Sequence, residues 1–145
     1  MRLNHVNLCS SDVPGLAEKL ATHFGYRIAD SGTYPAPDGS GDAHFAMVIG
    51  ADGSELVITQ IAGDERGSAY PPGFHVGLLQ DSREAVLAKH EELIAAGLNP
   101  GSISDGFEVW GATWTAFYCP LGDGLEIEVN YRTRSDFLDG AVVAR

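Results

Sequence analysis

Two histidines occupy matching places in two similar stretches of the sequence. His5 lies in residues 3–8 (LNHVNL), and His75 lies in residues 73–78 (GFHVGL). Two acids, Glu126 and Glu128, follow in a later run that alternates polar and apolar residues. Imidazole and carboxylate groups are good ligands for divalent first-row metals. These four residues therefore define the first candidate site of chemistry.

The two acids are expected to share one face of a strand, because residues two apart in a strand point the same way. Leu125, Ile127 and Val129 then fill the opposite face. Two neighbouring carboxylates on an inward face are costly unless a cation or water compensates them. This favours a metal or a wet site. For Glu128 alone, a solvated residue near an open rim is the competing interpretation.

Two β-α-β-β-β modules are predicted to position these residues. Helices are expected at 13–24 and 83–96, each after capping residues and before a Gly, and the second helix should bury Ala85, Val86, Leu93 and Ile94. Five Gly or Pro breakers make residues 31–43 a predicted loop. The modules span 1–61 and 74–131, with a linker at 62–73 and a tail at 132–145. We expect one α+β domain overall.

The repeat and one turn carry a family resemblance. Residues 120–127 (PLGDGLEI) are similar to the Asp-Pro-Asp-Gly-Asn-x-Ile-Glu-Leu turn and strand of the vicinal oxygen chelate superfamily, although Cys119 and Leu121 replace its two aspartates. That superfamily includes glyoxalase I, extradiol dioxygenases, fosfomycin-resistance enzymes and bleomycin-binding proteins. The resemblance covers about residues 3–131. It implies two mixed sheets that face each other around a cup holding a small molecule.

The resemblance also implies a ligand set. The histidine on the first strand of each module and the glutamate on the last strand of the second module correspond to His5, His75 and Glu126. The cofactor implied is a divalent ion: Fe, Mn, Ni, Zn or Co. Glyoxalase I takes a further ligand from the last strand of the first module, where the ungapped repeat places Val57. Glu55 or Thr59 would replace it only after a register slip of two, so a three-ligand site is expected.

Three residues are candidates for catalysis beside the metal. Glu128 would contact the ligands or the substrate, and His44 would reach the cup as an acid or base from the start of a strand. Tyr118 lies where extradiol dioxygenases carry catalytic residues, but its spacing to Pro120 differs from theirs. Between Lys89 and Arg132 the sequence has no Lys or Arg, so a phosphonate clamp of the fosfomycin-resistance type is not expected on the strands of the second module.

Composition restricts the partners. The net charge is -11, which disfavours nucleic acid and anionic membranes, and no apolar run is long enough to span a bilayer. Two cysteines are too few for a disulfide framework, so a reduced cytoplasmic protein is expected. The family resemblance also implies that the protein is a homodimer. The cup would form either within one chain or between two chains that exchange modules.

The function predicted is a metal-dependent small-molecule enzyme of lyase, isomerase or dioxygenase type. The first alternative is a non-catalytic protein that sequesters a bleomycin-like antibiotic or a metabolite in the cup. The second is a structural or regulatory descendant with a vestigial site.

Overall fold

The computed structural model describes residues 2–61 and 70–139, and it divides into two compact units. The first unit contains Met1–Pro72 and Leu121–Leu125, and the second contains Gly73–Pro120 and Glu126–Arg145. Each unit has a four-stranded mixed sheet with helices, so the predicted α+β class is confirmed. None of the helices in the described ranges is long and apolar enough to cross a membrane. The predicted linker at 62–73 lies mostly outside the described residues, as does the end of the predicted tail at 132–145.

The first unit runs β1 (His5–Ser10), α1 (Val13–His23), β2 (Tyr26–Pro35), β3 (Asp42–Gly50) and β4 (Glu55–Gln60). The sheet order is β1-β4-β3-β2, with β1 parallel to β4 and the other pairs antiparallel. The Asp12 carboxylate caps α1 by accepting a hydrogen bond from the Gly15 amide at 3.0 Å. The core lies between α1 and the sheet and includes fully buried Leu8, Leu20, Val48 and Ile58.

One predicted loop is in part a strand. Residues 31–35 continue β2 and pair with β3, where the prediction placed a loop over 31–43. The strand tolerates Pro35 because β2 lies at the edge of the sheet. Proline has no backbone N–H, and at an edge no neighbouring strand requires that donor. A register shift between Ile28 and Asp30 marks a bulge in β2. Breaker residues alone therefore overestimated the length of the loop.

The second unit repeats the order with β5 (His75–Leu79), α2 (Arg83–Ala95), β6 (Ser104–Val109), β7 (Ala112–Gly122) and β8 (Leu125–Arg132), followed by the short α3 (Asp136–Asp139). The sheet order is β5-β8-β7-β6, with β5 parallel to β8. Ser82 caps α2 through a 3.1 Å hydrogen bond from the Ala85 amide. Val86 and Leu93 of α2 are buried as predicted, whereas Ile94 is 55% exposed and does not belong to the core.

Candidate metal centre and its surroundings

Strand register brings His75 and the two acids of the second unit to one face of their sheet. His75 pairs with Glu126 in the parallel β5–β8 ladder, and Gly77 pairs with Glu128. Partner residues in a ladder point to the same side, and so do residues two apart. Leu125, Ile127 and Val129 are buried on the other side. The face that carries His75, Glu126 and Glu128 is called the open face of the second unit below.

The imidazole of His75 has a defined tautomer. Its Nδ1 lies 2.9 Å from the carbonyl oxygen of Gly73, which can only accept a hydrogen bond, so Nδ1 carries the proton. The other ring nitrogen, Nε2, lies 3.6 Å from Oε2 of Glu128. A histidine that donates Nδ1–H to a carbonyl is the usual form of a metal ligand. The local geometry therefore fits a ligand role for Nε2.

Glu128 is held in place by two hydrogen bonds on this face. The Tyr118 hydroxyl donates to Oε1 at 3.2 Å, and Nδ2 of buried Asn130 donates to Oε2 at 3.3 Å. The absence of a side chain at Gly77 makes space for the Glu128 carboxylate, since a Cβ at this position would lie 3.2 Å from Oε2 of Glu128. The Tyr118 ring also makes an edge contact with the His75 ring, with centroids 5.2 Å apart. Thus Tyr118 and Glu128, both predicted from the sequence, lie beside His75.

Burial raises the pKa of the Tyr118 hydroxyl, and the nearby negative charge of Glu128 raises it further. The hydrogen bond to Glu128 acts in the same direction, because it is lost when the phenol ionises. Tyr118 is therefore a neutral hydrogen-bond donor across the physiological pH range. Its proton stays on the hydroxyl and orients the Glu128 carboxylate.

The first unit contains a matching histidine. Nδ1 of His5 lies 2.8 Å from Oδ1 of Asn4, an acceptor, so Nδ1 is the donor and a neutral ring carries its proton there. The side chains of Asn7 and Thr59 lie on the same face of the sheet and are joined by a 3.1 Å hydrogen bond. Both sequence-predicted histidines thus have the same tautomer. In each one, Nε2 is the nitrogen available to a ligand.

The structure corrects the position assigned to Val57. His5 pairs with Glu55 in the β1–β4 ladder, as His75 pairs with Glu126, whereas Val57 pairs with Asn7. The counterpart of Glu126 is therefore Glu55. The interval from Glu55 to Glu126 is one position longer than that from His5 to His75, so the repeat contains a one-residue offset. Without a gap, the repeat aligns Val57 with Glu126, an interval shorter than both of these, and so Glu55 was not predicted.

A shared backbone feature explains the correct alignment and was readable in the sequence. Gly53 and Gly124 each lie two residues before the glutamate, with φ of 82° and 84°. A positive φ at this position of a hairpin turn favours glycine. The Gly-x-Glu pattern at 53–55 and 124–126 is the signal in the sequence that points to Glu55. Matching the conformationally required glycines would have corrected the register.

His44 lies on a different face. On β3 it is in phase with Ala46 and Val48, which pack beneath α1, while Phe45 and Met47 share the face of Val57 and Thr59 through the β3–β4 ladder. Exposed His44 lines a surface cavity of about 320 Å³ with residues of α1 that include Glu18. The structure therefore does not bring His44 to the face of His5.

The turn between β7 and β8 is fixed within the first unit. Asp123 accepts hydrogen bonds from the Ser11 amide at 2.8 Å, the Ser11 hydroxyl at 2.7 Å and the hydroxyl of buried Ser10 at 3.1 Å. Burial raises the pKa of Asp123, but these bonds outweigh it and the net pKa is lowered. In neither unit, over residues 2–61 and 70–139, do three or more His, Cys, Asp or Glu side chains assemble into a metal site.

Comparison with solved structures identifies the fold. A possible glyoxalase from Bacillus cereus is 29% identical over 89% of this chain and 97% of its own, with a TM-score of 0.64. The fold is that of the vicinal oxygen chelate superfamily. The resemblance seen in the sequence is therefore confirmed. Comparisons with protein-family models and with curated protein sequences give no match.

Two further superfamily structures are similar at 17% identity, which shows the fold alone. A glyoxylase/bleomycin resistance protein/dioxygenase domain from Frankia sp. EAN1pec has a TM-score of 0.67 and covers 92% of this chain and 98% of its own. A mutant of the fosfomycin resistance protein FosX from Listeria monocytogenes has a TM-score of 0.65, with coverages of 88% and 90%. That FosX structure contains Mn(II) and 1S,2S-dihydroxypropylphosphonic acid.

Proposed function

We propose that the protein is a metal-dependent enzyme acting on a small molecule, with a divalent ion held by His5, His75 and Glu126. The observation that carries the proposal is the tautomer of the two histidines. Each donates Nδ1–H to an oxygen acceptor, at 2.8 Å in His5 and 2.9 Å in His75, so Nε2 is the nitrogen that would bind the ion. Imidazole and carboxylate donors suit Mn, Fe, Co, Ni or Zn.

Glu55 is proposed as a fourth ligand. It pairs with His5 as Glu126 pairs with His75, so each unit offers one histidine and one glutamate on adjacent strands. Glyoxalase I, as noted for the family resemblance, takes a ligand from this strand of the first module. The register therefore favours a lyase or isomerase over a dioxygenase. The two His–Glu pairs would serve one ion, either within one chain or across a homodimer that exchanges modules.

The chemistry assigned to this chain's own residues follows from their positions. A bound divalent ion supplies Lewis acidity to the substrate oxygens it contacts. Glu128, oriented by Tyr118 and Asn130, presents a carboxylate oxygen beside His75 and would accept a hydrogen bond or a proton from the substrate. The Tyr118 hydroxyl would hold its own proton at the oxygen and keep Glu128 turned toward His75. His44 lies on the opposite face of its sheet from His5, so it is assigned no step in this chemistry.

The test is metal content and affinity, measured in protein purified without added metal. Elemental analysis of the wild type should give close to one ion per chain, and His75→Ala, Glu126→Gln and Glu55→Gln should each reduce it. Glu84→Gln, at an exposed position of α2, is the matched control and should not. Equal metal content in the wild type and His75→Ala would rule out the proposed centre.

A screen of dicarbonyl adducts, 2-acyl thioesters and catechols with the Mn, Fe, Ni and Zn forms would then assign the reaction. Turnover of the first or second class supports a lyase or isomerase. Turnover of catechols alone would contradict the branch favoured by Glu55. The alternative function, a binding protein that sequesters its ligand, predicts tight ligand binding that persists after metal removal and no turnover of any class.

A further inference from the structure

A group of aromatic side chains lies on the open face of the second unit, away from His75. Phe107 and Trp114 stack with centroids 6.3 Å apart and planes 21° apart, and Trp110 meets Trp114 edge-on at 6.0 Å. Phe107 is 39% exposed and Trp110 is 59% exposed. These three residues are called the aromatic platform. A large exposed aromatic surface of this kind is typical of a ligand-binding site.

The platform is on the same face as Glu128. Tyr118 bonds to Glu128, and further along the two strands Arg132 lies over the Trp114 ring, with its guanidinium carbon 5.9 Å from the ring centre. Trp114 is half-buried, so Phe107 and Trp110 form the exposed part of the platform. Trp114 and Tyr118 are four positions apart along β7. At about 3.3 Å per residue this is roughly 13 Å. The face therefore joins an aromatic end to a carboxylate end over that length.

The backbone of Trp110 supports a role beyond packing. Its φ is 52°, a left-handed conformation that is unfavourable for a bulky residue. The Ser135 hydroxyl donates to the Trp110 carbonyl at 2.6 Å and holds the turn. A Cβ at Gly111 would lie 3.1 Å from this hydroxyl, so the fit is close. Trp110 and Gly111 are the two central residues of the β6–β7 hairpin turn, and both have the positive φ that such a turn requires. Tryptophan is an unfavourable residue for this position, and the turn leaves its indole exposed to solvent.

The charges on this face indicate which ligand fits. Among the strand residues of β5 to β8, all of which the structure describes, Arg132 is the one Lys or Arg. Its guanidinium makes hydrogen bonds to both carboxylate oxygens of Asp139, at 3.0 and 3.1 Å, so its charge is neutralised. Glu126 and Glu128 have no such Lys or Arg partner on these strands. The face therefore favours a neutral or positively charged ligand over an anion.

We propose that the aromatic platform binds a planar, uncharged or cationic ring system carried by the substrate. This inference rests on the proposed function, because the ring is taken to belong to the substrate of the proposed metal centre. The ring stacks on the platform while the rest of the molecule extends along the face toward Glu128 and His75. Three-carbon substrates are too short to reach from the platform to Glu128, and phosphonates carry a negative charge that the two glutamates disfavour.

Both tryptophans of the chain, Trp110 and Trp114, belong to the platform, so intrinsic tryptophan fluorescence reports on it directly. The experiment titrates the metal-free protein with proflavine, a planar three-ring cation, and with anthracene-9-carboxylate, a planar three-ring anion. Calorimetry provides a second measure of affinity. We expect saturable quenching by proflavine, with an affinity at least tenfold higher than that of the anion.

Three variants test the location. Phe107→Leu, in an ordinary strand conformation, should weaken proflavine binding at least fivefold, and Trp110→Leu at least tenfold, while Trp110→Phe should remain within threefold of the wild type. Ile94→Ala removes a similarly exposed apolar residue from α2 and should have no effect. Circular dichroism confirms that each variant is folded.

Equal affinity for cation and anion, or unchanged binding in both Phe107→Leu and Trp110→Leu, would overturn the proposal. The metal centre is tested separately, because proflavine binding is measured without metal and metal content without proflavine. Loss of the metal centre in His75→Ala should leave the affinity for proflavine unchanged. If the wild type carries no metal yet binds proflavine at the platform, the proposal of a metal-dependent enzyme is refuted, while the proposal that the platform binds planar uncharged or cationic rings is supported.

Discussion

Replacing Asn4 by Ala tests the reasoning about histidine tautomers without touching a proposed ligand. Asn4 Oδ1 accepts the Nδ1–H of His5 at 2.8 Å and so fixes both the ring and the position of its proton. Loss of a partner of this kind usually costs 10–100-fold in metal affinity, or about 1.4 to 2.8 kcal/mol. Asn4 and His5 are both exposed, so water replaces part of the lost interaction. We therefore expect a loss near tenfold in Asn4→Ala.

The assay is competition between the protein and a metallochromic chelator for Mn, Ni or Zn, with affinity rather than activity as the readout. Asn4→Asp keeps an acceptor oxygen and should bind metal at least as tightly as the wild type. Asn7→Ala is the matched control, since Asn7 lies on the same face of β1 but bonds to Thr59. Its affinity should stay within threefold of the wild type.

The stability of the metal-free protein separates a local effect from unfolding. Asn4 is an exposed residue whose loss should change the free energy of unfolding by less than about 0.5 kcal/mol. If Asn4→Ala binds metal within threefold of the wild type while His5→Ala does not bind it, the tautomer of His5 is unimportant and the reasoning is refuted.

Three further predictions concern stability and charge. Asp123→Gly removes charge-assisted hydrogen bonds from Ser11 and relieves a left-handed φ of 54°, so urea unfolding should show a net loss of about 2 kcal/mol. The pKa of Asp123 is lowered in the folded protein, so this loss should be present above the unfolded pKa and should vanish as the pH falls through the folded pKa. A loss that does not change with pH would contradict the assignment. Arg83→Gln removes the main partner of Asp105, so carboxyl NMR should find the Asp105 pKa risen from about 2 toward its ordinary value, and an unchanged pKa would show that the ion pair is absent in solution. Phe117→Ala empties a fully buried site and should cost about 3 to 5 kcal/mol by the same urea assay, with a loss under about 1 kcal/mol counting against the described core.

The sequence alone determined the local structure of this protein. Capping residues and glycines set the two long helices within a residue or so, because a helix begins where a side chain satisfies its first amides and ends at a left-handed glycine. Alternation on the last strand predicted that Glu126 and Glu128 share a face opposite Ile127. These features depend on neighbours in the chain, which the sequence displays directly.

Only the tertiary structure decided which residues face each other across strands. Pairing between β1 and β4 selected Glu55 rather than Val57 as the partner of His5, because register depends on hydrogen bonds between segments that are far apart in the sequence. An edge position allowed β2 to extend through residues predicted as a loop. The same sheet geometry placed His44 in a surface cavity next to α1 and brought Arg132 over the Trp114 ring. The Gly-x-Glu pattern hinted at Glu55, but its pairing with His5 and the contacts of the aromatic platform join residues on different strands and were decided by the fold.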